Sequence, residues 1–179
     1  RALDLAICAS PATDPPDVVP YPLVRDPYIL AVPRGTPVTE GIASLSHLAF
    51  LRRDPDQVMG QQIEGYLGRA GLCLPKRFEI DSNQSISALV ASGSGWTIPT
   101  PLSLMRAGRF ADSIDAHPLP GEDMARSIVL YAARDWTGTI PEQIASLARE
   151  LIGTHFIEPG HERMPWLGDS YAIFGAETG

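Results

Sequence analysis

Short apolar runs bounded by Pro, Gly and Asp alternate along this chain with stretches whose apolar positions recur every three or four residues. Leu3-Asp4-Leu5-Ala6-Ile7 is a run broken by one charge, the pattern of a strand buried in a parallel sheet. The Pro- and Asp-rich stretch 10–22 predicts loop. Tyr28-Ile29-Leu30-Ala31-Val32 predicts a second strand, stopped by Pro33-Arg34-Gly35. Leu48-Ala49-Phe50-Leu51 predicts a third, ending at Arg52-Arg53-Asp54.

The segment after Asp54 changes period. Asp54 suits a helix cap, Pro55 the first helical position and Gln57 the far corner of a capping box. Met59, Ile63, Tyr66, Leu67 and Ala70 follow at helical spacing, and Gly71 supplies the stop. Gly60, Gly65 and Gly68 lower the intrinsic propensity, so packing must hold this helix. Phe78-Glu79-Ile80 predicts a short strand running into Asp81-Ser82-Asn83, a cluster of cap residues. Ile86, Leu89 and Val90 form the apolar face of the next helix, which Gly93 ends. Trp96-Thr97-Ile98 predicts a strand cut by Pro99 and Pro101, followed by a short helix over 102–107 and strands over 116–119 and 127–132. Thr139 and Glu142 spell a T-x-x-E capping box with Pro141 inside the first turn; Ile144, Leu147, Ala148 and Leu151 give one stripe, closed by Gly153. From Thr154 on, Pro159, Gly160, Pro165 and Gly168 leave little periodicity, and a loosely packed extension is expected. Alternating strands and helices imply an α/β fold with mainly parallel sheets, whose ligands bind beyond the carboxyl ends of the strands.

At 179 residues and 44% hydrophobic, the chain can form one ordinary domain or two small hinged lobes. Fourteen basic against 21 acidic residues give a net charge of −7, the wrong sign for a DNA grip, so contact with nucleic acid would fall to another segment. Cys8 and Cys73 stand far apart and outside any CxxC pattern, which predicts free thiols in a reducing compartment. No apolar run approaches the ~20 residues of a membrane span, and no signal peptide opens the chain. Its start at Arg1-Ala2-Leu3, without Met, reads as a piece of something longer.

Most catalytic motifs fail on spacing. A dinucleotide fingerprint at Gly93-Ser94-Gly95 would need a glycine where Ile98 stands, and a nucleophile elbow would need glycines two residues either side of a serine. A tight helix-to-strand turn accounts for these glycines. His155 and His161, with Glu158 and Glu162, are separated by Pro-Gly at a spacing that no helix places on one face, so no metal site is expected. His47 and His117 stand alone, and neither cysteine has a nearby histidine to activate it. Arg52-Arg53 admits two readings: a solvated loop pair, or an anion contact between a strand end and a helix N-terminus, where the backbone N–H groups already favour negative charge. Asp54 competes for those donors. Ser82-Asn83 is the same kind of place, a cap with a ligand hydrogen bond as a second use.

In this order, these residues resemble the substrate-binding domain of LysR-type regulators. Leu3-Asp4-Leu5-Ala6-Ile7 is similar to the family's LDLAI strand, and the stretch from Pro22-Leu23 through Tyr28-Ile29-Leu30-Ala31-Val32-Pro33 to its crossover strand. Arg69-Ala70-Gly71-Leu72 is similar to the Gly-terminated end of its ligand-loop helix. Ser87-Ala88-Leu89-Val90-Ala91-Ser92-Gly93-Ser94-Gly95-Trp96-Thr97-Ile98-Pro99 resembles its alVaaGlGia.lP segment, with Trp96 in place of a smaller residue. The likeness runs from about residue 3 to 152. The family's winged helix-turn-helix and the start of its first lobe have no counterpart ahead of Leu3.

The resemblance implies a two-lobed, periplasmic-binding-protein-like (type 2) module with crossover hinge strands: part of lobe I from 1–33 and 127–153, lobe II from 34–126, and a C-terminal extension over 154–179. It implies no enzyme and no cofactor. It implies a cytoplasmic, DNA-binding regulator, homodimeric or homotetrameric, that senses a small effector; Arg52, Arg53 and the helix N-termini make a small anion the expected class. The effector-binding residues would be Ala9 and Ser10 from the first lobe and Arg52, Arg53, Asp54, Ser82, Asn83 and Trp96 from the second. Two other readings share the fold: a secreted solute-binding protein of a transporter, and an enzyme, which would need an acid/base pair that the sequence does not name.

Overall fold

A computed structural model describes residues 4–76, 78–136 and 138–175; Leu3, the expected start of the first strand, and residues 176–179 of the expected extension lie outside them. In chain order the strands are β1 (Leu5–Ala9), β2 (Val18–Pro27), β3 (Ile29–Pro33), β4 (Ala49–Arg52), β5 (Phe78–Glu79), β6 (Gly95–Trp96), β7 (Ile114–Pro118), β8 (Ala125–Ala133) and β9 (Ala172–Ile173). The α-helices are α1 (Val58–Arg69), α2 (Asn83–Ala91), α3 (Pro101–Met105), α4 (Ile140–Ile152) and α5 (Glu158–Arg163). They fall into two compact units, one of Arg1–Pro27 with Ala125–Gly179, the other of Tyr28–Met124.

The first unit is built on an antiparallel sheet of order β1-β8-β2-β9. Strand β2 takes in the last five residues of the stretch expected as loop, Pro20 and Pro22 included. Through residues 18–22 it is paired with β8, while β9 reaches only Val24 and Arg25; a strand paired on one side tolerates proline. Helix α4 lies on this sheet, with Ala145 fully buried and Ile144, Ala148 and Ile152 packed around Leu23 and Leu130. The expected stripe is therefore rotated, and Leu147 and Leu151 stay half exposed. Thr139 holds the N-cap position, but its backbone is not extended and its hydroxyl accepts from the Gln143 side-chain amide at 3.3 Å instead of a helix N–H.

The C-terminal segment is packed, contrary to the loose extension expected. A π-helical turn (Gly153–Ile157), α5 and a 3₁₀ turn (Pro165–Ser170) carry Met164, Leu167 and Tyr171 into the interior. These three recur at spacings of three and four, a periodicity obscured by the intervening Pro and Gly. Gly160 allows the closest approach: a Cβ there would stand 2.6 Å from Tyr171 Cε1. Arg25 donates to Ser170 O at 2.7 Å, and Phe174 N to Leu23 O at 3.0 Å, tying the segment to β2.

Tyr171 is fully buried, and its hydroxyl meets no hydrogen-bond partner among the described residues. Burial pushes its phenol far above the ordinary value, with Asp26 adding to the rise and Arg126 opposing it. The neutral form is thus favoured in the fold, and its contribution to stability is intact below the unfolded pKa, near 10, and lost as pH rises beyond it. Tyr171→Phe is expected to be neutral or stabilising by about 1 kcal/mol, because an unsatisfied buried hydroxyl is removed. It should also flatten the alkaline limb of stability above about pH 10. Urea melts across that range check both; a loss above about 2 kcal/mol at neutral pH would mean the hydroxyl is satisfied.

The second unit contains the parallel pairs. Strands β5, β4 and β6 form a parallel sheet in that order, joined through α1 and α2, while β3 pairs antiparallel with β7. Parallel pairing thus appears where strands and helices alternate most regularly, because each helix returns the chain to the same end of the sheet. Leu30, Val32, Leu45, Phe50, Ile63, Tyr66, Leu67, Trp96 and Ile98 make its core. Helix α1 begins at Val58, later than its cap signals predict. Asp54 Oδ1 accepts from Asp56 N at 2.8 Å and Asp54 O from Gln57 N at 3.2 Å, so this aspartate closes a turn ahead of the helix. The Ser82 cap is as expected: its side chain accepts from Ser85 N at 3.2 Å, and Gly93 closes α2 with Ser94 N on Leu89 O.

Candidate functional site

Strand β4 ends at Arg52, and Arg53 directly after it parts company with its neighbour. Successive side chains of an extended segment point to opposite faces, so neighbours of like chemistry enter different surroundings. Arg52 pairs with Glu64 on α1, donates to Leu74 O at 3.0 Å and lies 5.3 Å from the centroid of the Phe50 ring. Burial pushes its pKa down, while Glu79 and Cys73 pull it up. Arg52 is thus engaged inside its own unit, tying β4 to α1 and to the segment that follows it.

Arg53 turns toward α2. Its Nη2 donates to Asn83 Oδ1 at 2.7 Å, and Asn83 Nδ2 donates to Ser103 O at 2.7 Å. Ser103 is fixed by the α3 capping box, in which Thr100 Oγ1 accepts from Ser103 N and Ser103 Oγ from Thr100 N. One polar chain therefore joins the end of β4, the first residue of α2 and the first turn of α3. Thr97 adds to the frame, its hydroxyl donating to Leu51 O at 2.9 Å. Both arginines are buried, at 4% and 6% exposed, which overturns the solvated-loop reading. The Arg53 guanidinium stands beside the capped N-terminus of an α-helix, so a fixed positive charge and a helix dipole end coincide there.

Of the residues expected to bind an effector, the structure gathers Arg53, Ser82 and Asn83 at this place. Asp54 closes the turn next to it. Trp96 lies in the core against Phe50, ring centroids 4.6 Å apart. Ala9 and Ser10 lie in the first unit, where Ser10 N donates to Ser127 O at 2.8 Å and Ser10 Oγ meets Tyr131 Oη at 3.1 Å. Tyr131 donates to Asp14 Oδ1 at 2.7 Å; burial, then Asp14, raises its phenol pKa. Thr100 and Ser103 were not among the expected residues, although Thr100-Pro101-Leu102-Ser103 is itself a cap signal with Pro in the first turn.

Among the described residues, no group of three or more His, Cys, Asp or Glu is placed to hold a metal ion, and no helix is long and apolar enough to cross a membrane. Cys8 and Cys73 are both free and exposed.

Residues 1–139 match the model of the LysR substrate binding domain. The fold resembles the regulatory domain of CcmR from Synechocystis PCC6803, solved in complex with 2-PG, at 18% identity and TM-score 0.66 over 83% of this chain and 73% of that one. It also resembles the effector binding domain of QuiR, solved in complex with shikimate, at 14% identity and TM-score 0.64 over 86% of this chain and 73% of that one. An OxyR variant from Corynebacterium glutamicum shares 18% identity at TM-score 0.71 over 90% of this chain, which spans about half (51%) of the OxyR length. No curated protein sequence matches. Two units with this α/β topology, and a family match across most of their length, lead to one assignment: the chain belongs to the LysR substrate-binding domain family.

Proposed function

We propose that this chain is the effector-sensing domain of a bacterial transcription regulator, and that Arg53 receives the acidic group of its effector. One observation carries the assignment of the residue: a guanidinium only 6% exposed, hydrogen-bonded to the first residue of a capped helix, where charge and helix dipole both favour an anion. Family membership supports the wider role, as do the 2-PG and shikimate complexes of the similar CcmR and QuiR domains. On this reading the domain performs no catalysis; the regulator works in the cytoplasm as a homo-oligomer and holds DNA through another domain. The effector acts by binding one arrangement of the protein more tightly than another.

Titration calorimetry with a panel of small organic acids tests the assignment. At least one acid is expected to bind, and Arg53→Gln to weaken it at least about tenfold, roughly the loss of one charge-assisted hydrogen bond. Arg69→Gln, which removes an exposed arginine paired with Glu122 at 2.9 Å, should leave binding unchanged. Equal binding by the wild type and Arg53→Gln would remove Arg53 from the site.

A further inference from the structure

Asn83 commits both ends of its side-chain amide. Its Oδ1 accepts from Arg53 Nη2 and its Nδ2 donates to Ser103 O, each at 2.7 Å. Turned over, the amide would set its NH2 against a guanidinium and its oxygen against a carbonyl, so one orientation is fixed. The Ser103 carbonyl is available because α3 is short: Ala107 N, its partner in a longer helix, donates instead to Leu104 O at 2.9 Å. One uncharged group thus holds both a buried cation and a carbonyl from the end of a short helix.

The neutrality of that group is the informative part. Residue 83 stands in the first turn of α2, where the helix dipole favours negative charge, and against a guanidinium, which favours it further. Aspartate has the same shape and would join Arg53 in a full ion pair, as Asp26 joins Arg126 at 2.8 Å. Asparagine forgoes that pairing. It fixes the guanidinium through one acceptor and leaves the positive charge uncancelled by residue 83. An internal carboxylate at this position would compete with a guest anion at a high effective concentration. The bond to Ser103 O also gives asparagine a structural use, which the experiment below separates from the effect of charge.

Taking Arg53 as the anion contact, we infer that Asn83 is its positioning residue: it aims the guanidinium and, being neutral, does not occupy the site as an internal anion. Preference for an anionic guest thus depends on residue 83 carrying no charge.

The test is a 1H–15N titration of the whole chain with acetate at constant pH and ionic strength, reading the arginine Nε–H signals. The Arg53 signal is assigned through Arg53→Gln. Acetate is expected to shift it saturably in the wild type; acetamide, its neutral counterpart, is not. Asn83→Ala should weaken acetate about three- to tenfold, since the guanidinium loses its aim. Asn83→Asp should do more harm despite its closer shape. Its saturable shift disappears, and its Arg53 signal without acetate already lies displaced in the direction that acetate drives the wild type. A purely structural role gives the opposite order, because alanine removes both hydrogen bonds and aspartate only one. Acetate binding to Asn83→Asp as tightly as to Asn83→Ala, or more tightly, would overturn the inference and leave Arg53 in the site. If Asn83→Asp does not fold, Asn83→Ala decides: the loss supports the positioning role, and unchanged affinity ends it. A wild-type Arg53 signal that acetate does not move would remove the anion contact itself, and the role of Asn83 with it.

Discussion

Replacing Arg126 by Ala is expected to cost about 3–5 kcal/mol of stability, the usual range when one partner of a buried ion pair is removed. Asp26 has no solvent exposure, and Arg126 Nε donates to its Oδ2 at 2.8 Å from the directly opposed position on β8. Without the guanidinium, a carboxylate taken out of water loses the charge that offsets its desolvation. The cost belongs to the broken pair more than to the pair as a whole. Asp26→Leu with Arg126→Met should therefore recover much of the loss, because apolar residues of similar size often replace a buried pair at little cost. Urea unfolding of the wild type and both variants measures this. A deficit for Arg126→Ala below about 1 kcal/mol would show that Asp26 is stabilised without its partner.

Gly60→Ala is the second large effect, and its sign runs against helix propensity. In a helix interior, alanine is ordinarily worth about 1 kcal/mol over glycine. Here the new Cβ would stand 1.9 Å from Asp54 O and 2.7 Å from Asp54 C, both backbone atoms. A side chain can rotate away; a carbonyl held in a hydrogen-bonded turn cannot. Either the turn over 54–57 opens or α1 shifts, and a loss of about 3 kcal/mol is expected, at the upper end of overpacking penalties. Since that turn directly follows Arg53, acid binding should weaken with it. Gly68→Ala is the control on the same helix: nothing lies within 4 Å of its Cβ position. It should stabilise by about 0.5–1 kcal/mol. Thermal melts of the two variants should move in opposite directions; equal shifts would remove the contact with Asp54 as the cause.

The contrast between these two glycines marks the limit of reading along the chain. Both interrupt the same amphipathic helix, and propensity counts them alike. Only the return of the backbone at residue 54 separates the indispensable glycine from the replaceable one. The neighbouring arginines differ in the same way. Their place at a strand end ahead of a helix is visible in the residues, but alternation along the strand sends one to Glu64 and the other to Asn83. Which arginine takes which partner depends on helices 12 and 30 residues away.

What the residues determined alone were interactions of short range. The Ser82 cap, the Gly93 stop, the apolar face of α1 and the strand–helix alternation from β4 to β6 each depend on neighbours within a turn or two, and each stands where the pattern placed it. The family resemblance was legible for the same reason, as ordered local motifs. Tertiary structure decided what local rules leave open. It allowed β2 to run through Pro20 and Pro22 because its second neighbour is so short, and it made the C-terminal segment an integral layer through Met164, Leu167 and Tyr171. It also left Trp96, read as a site residue, lining an apolar cavity. Each of these outcomes depends on which distant surface is available to be covered, and since apolar burial is non-directional, the order of neighbouring residues does not name that surface.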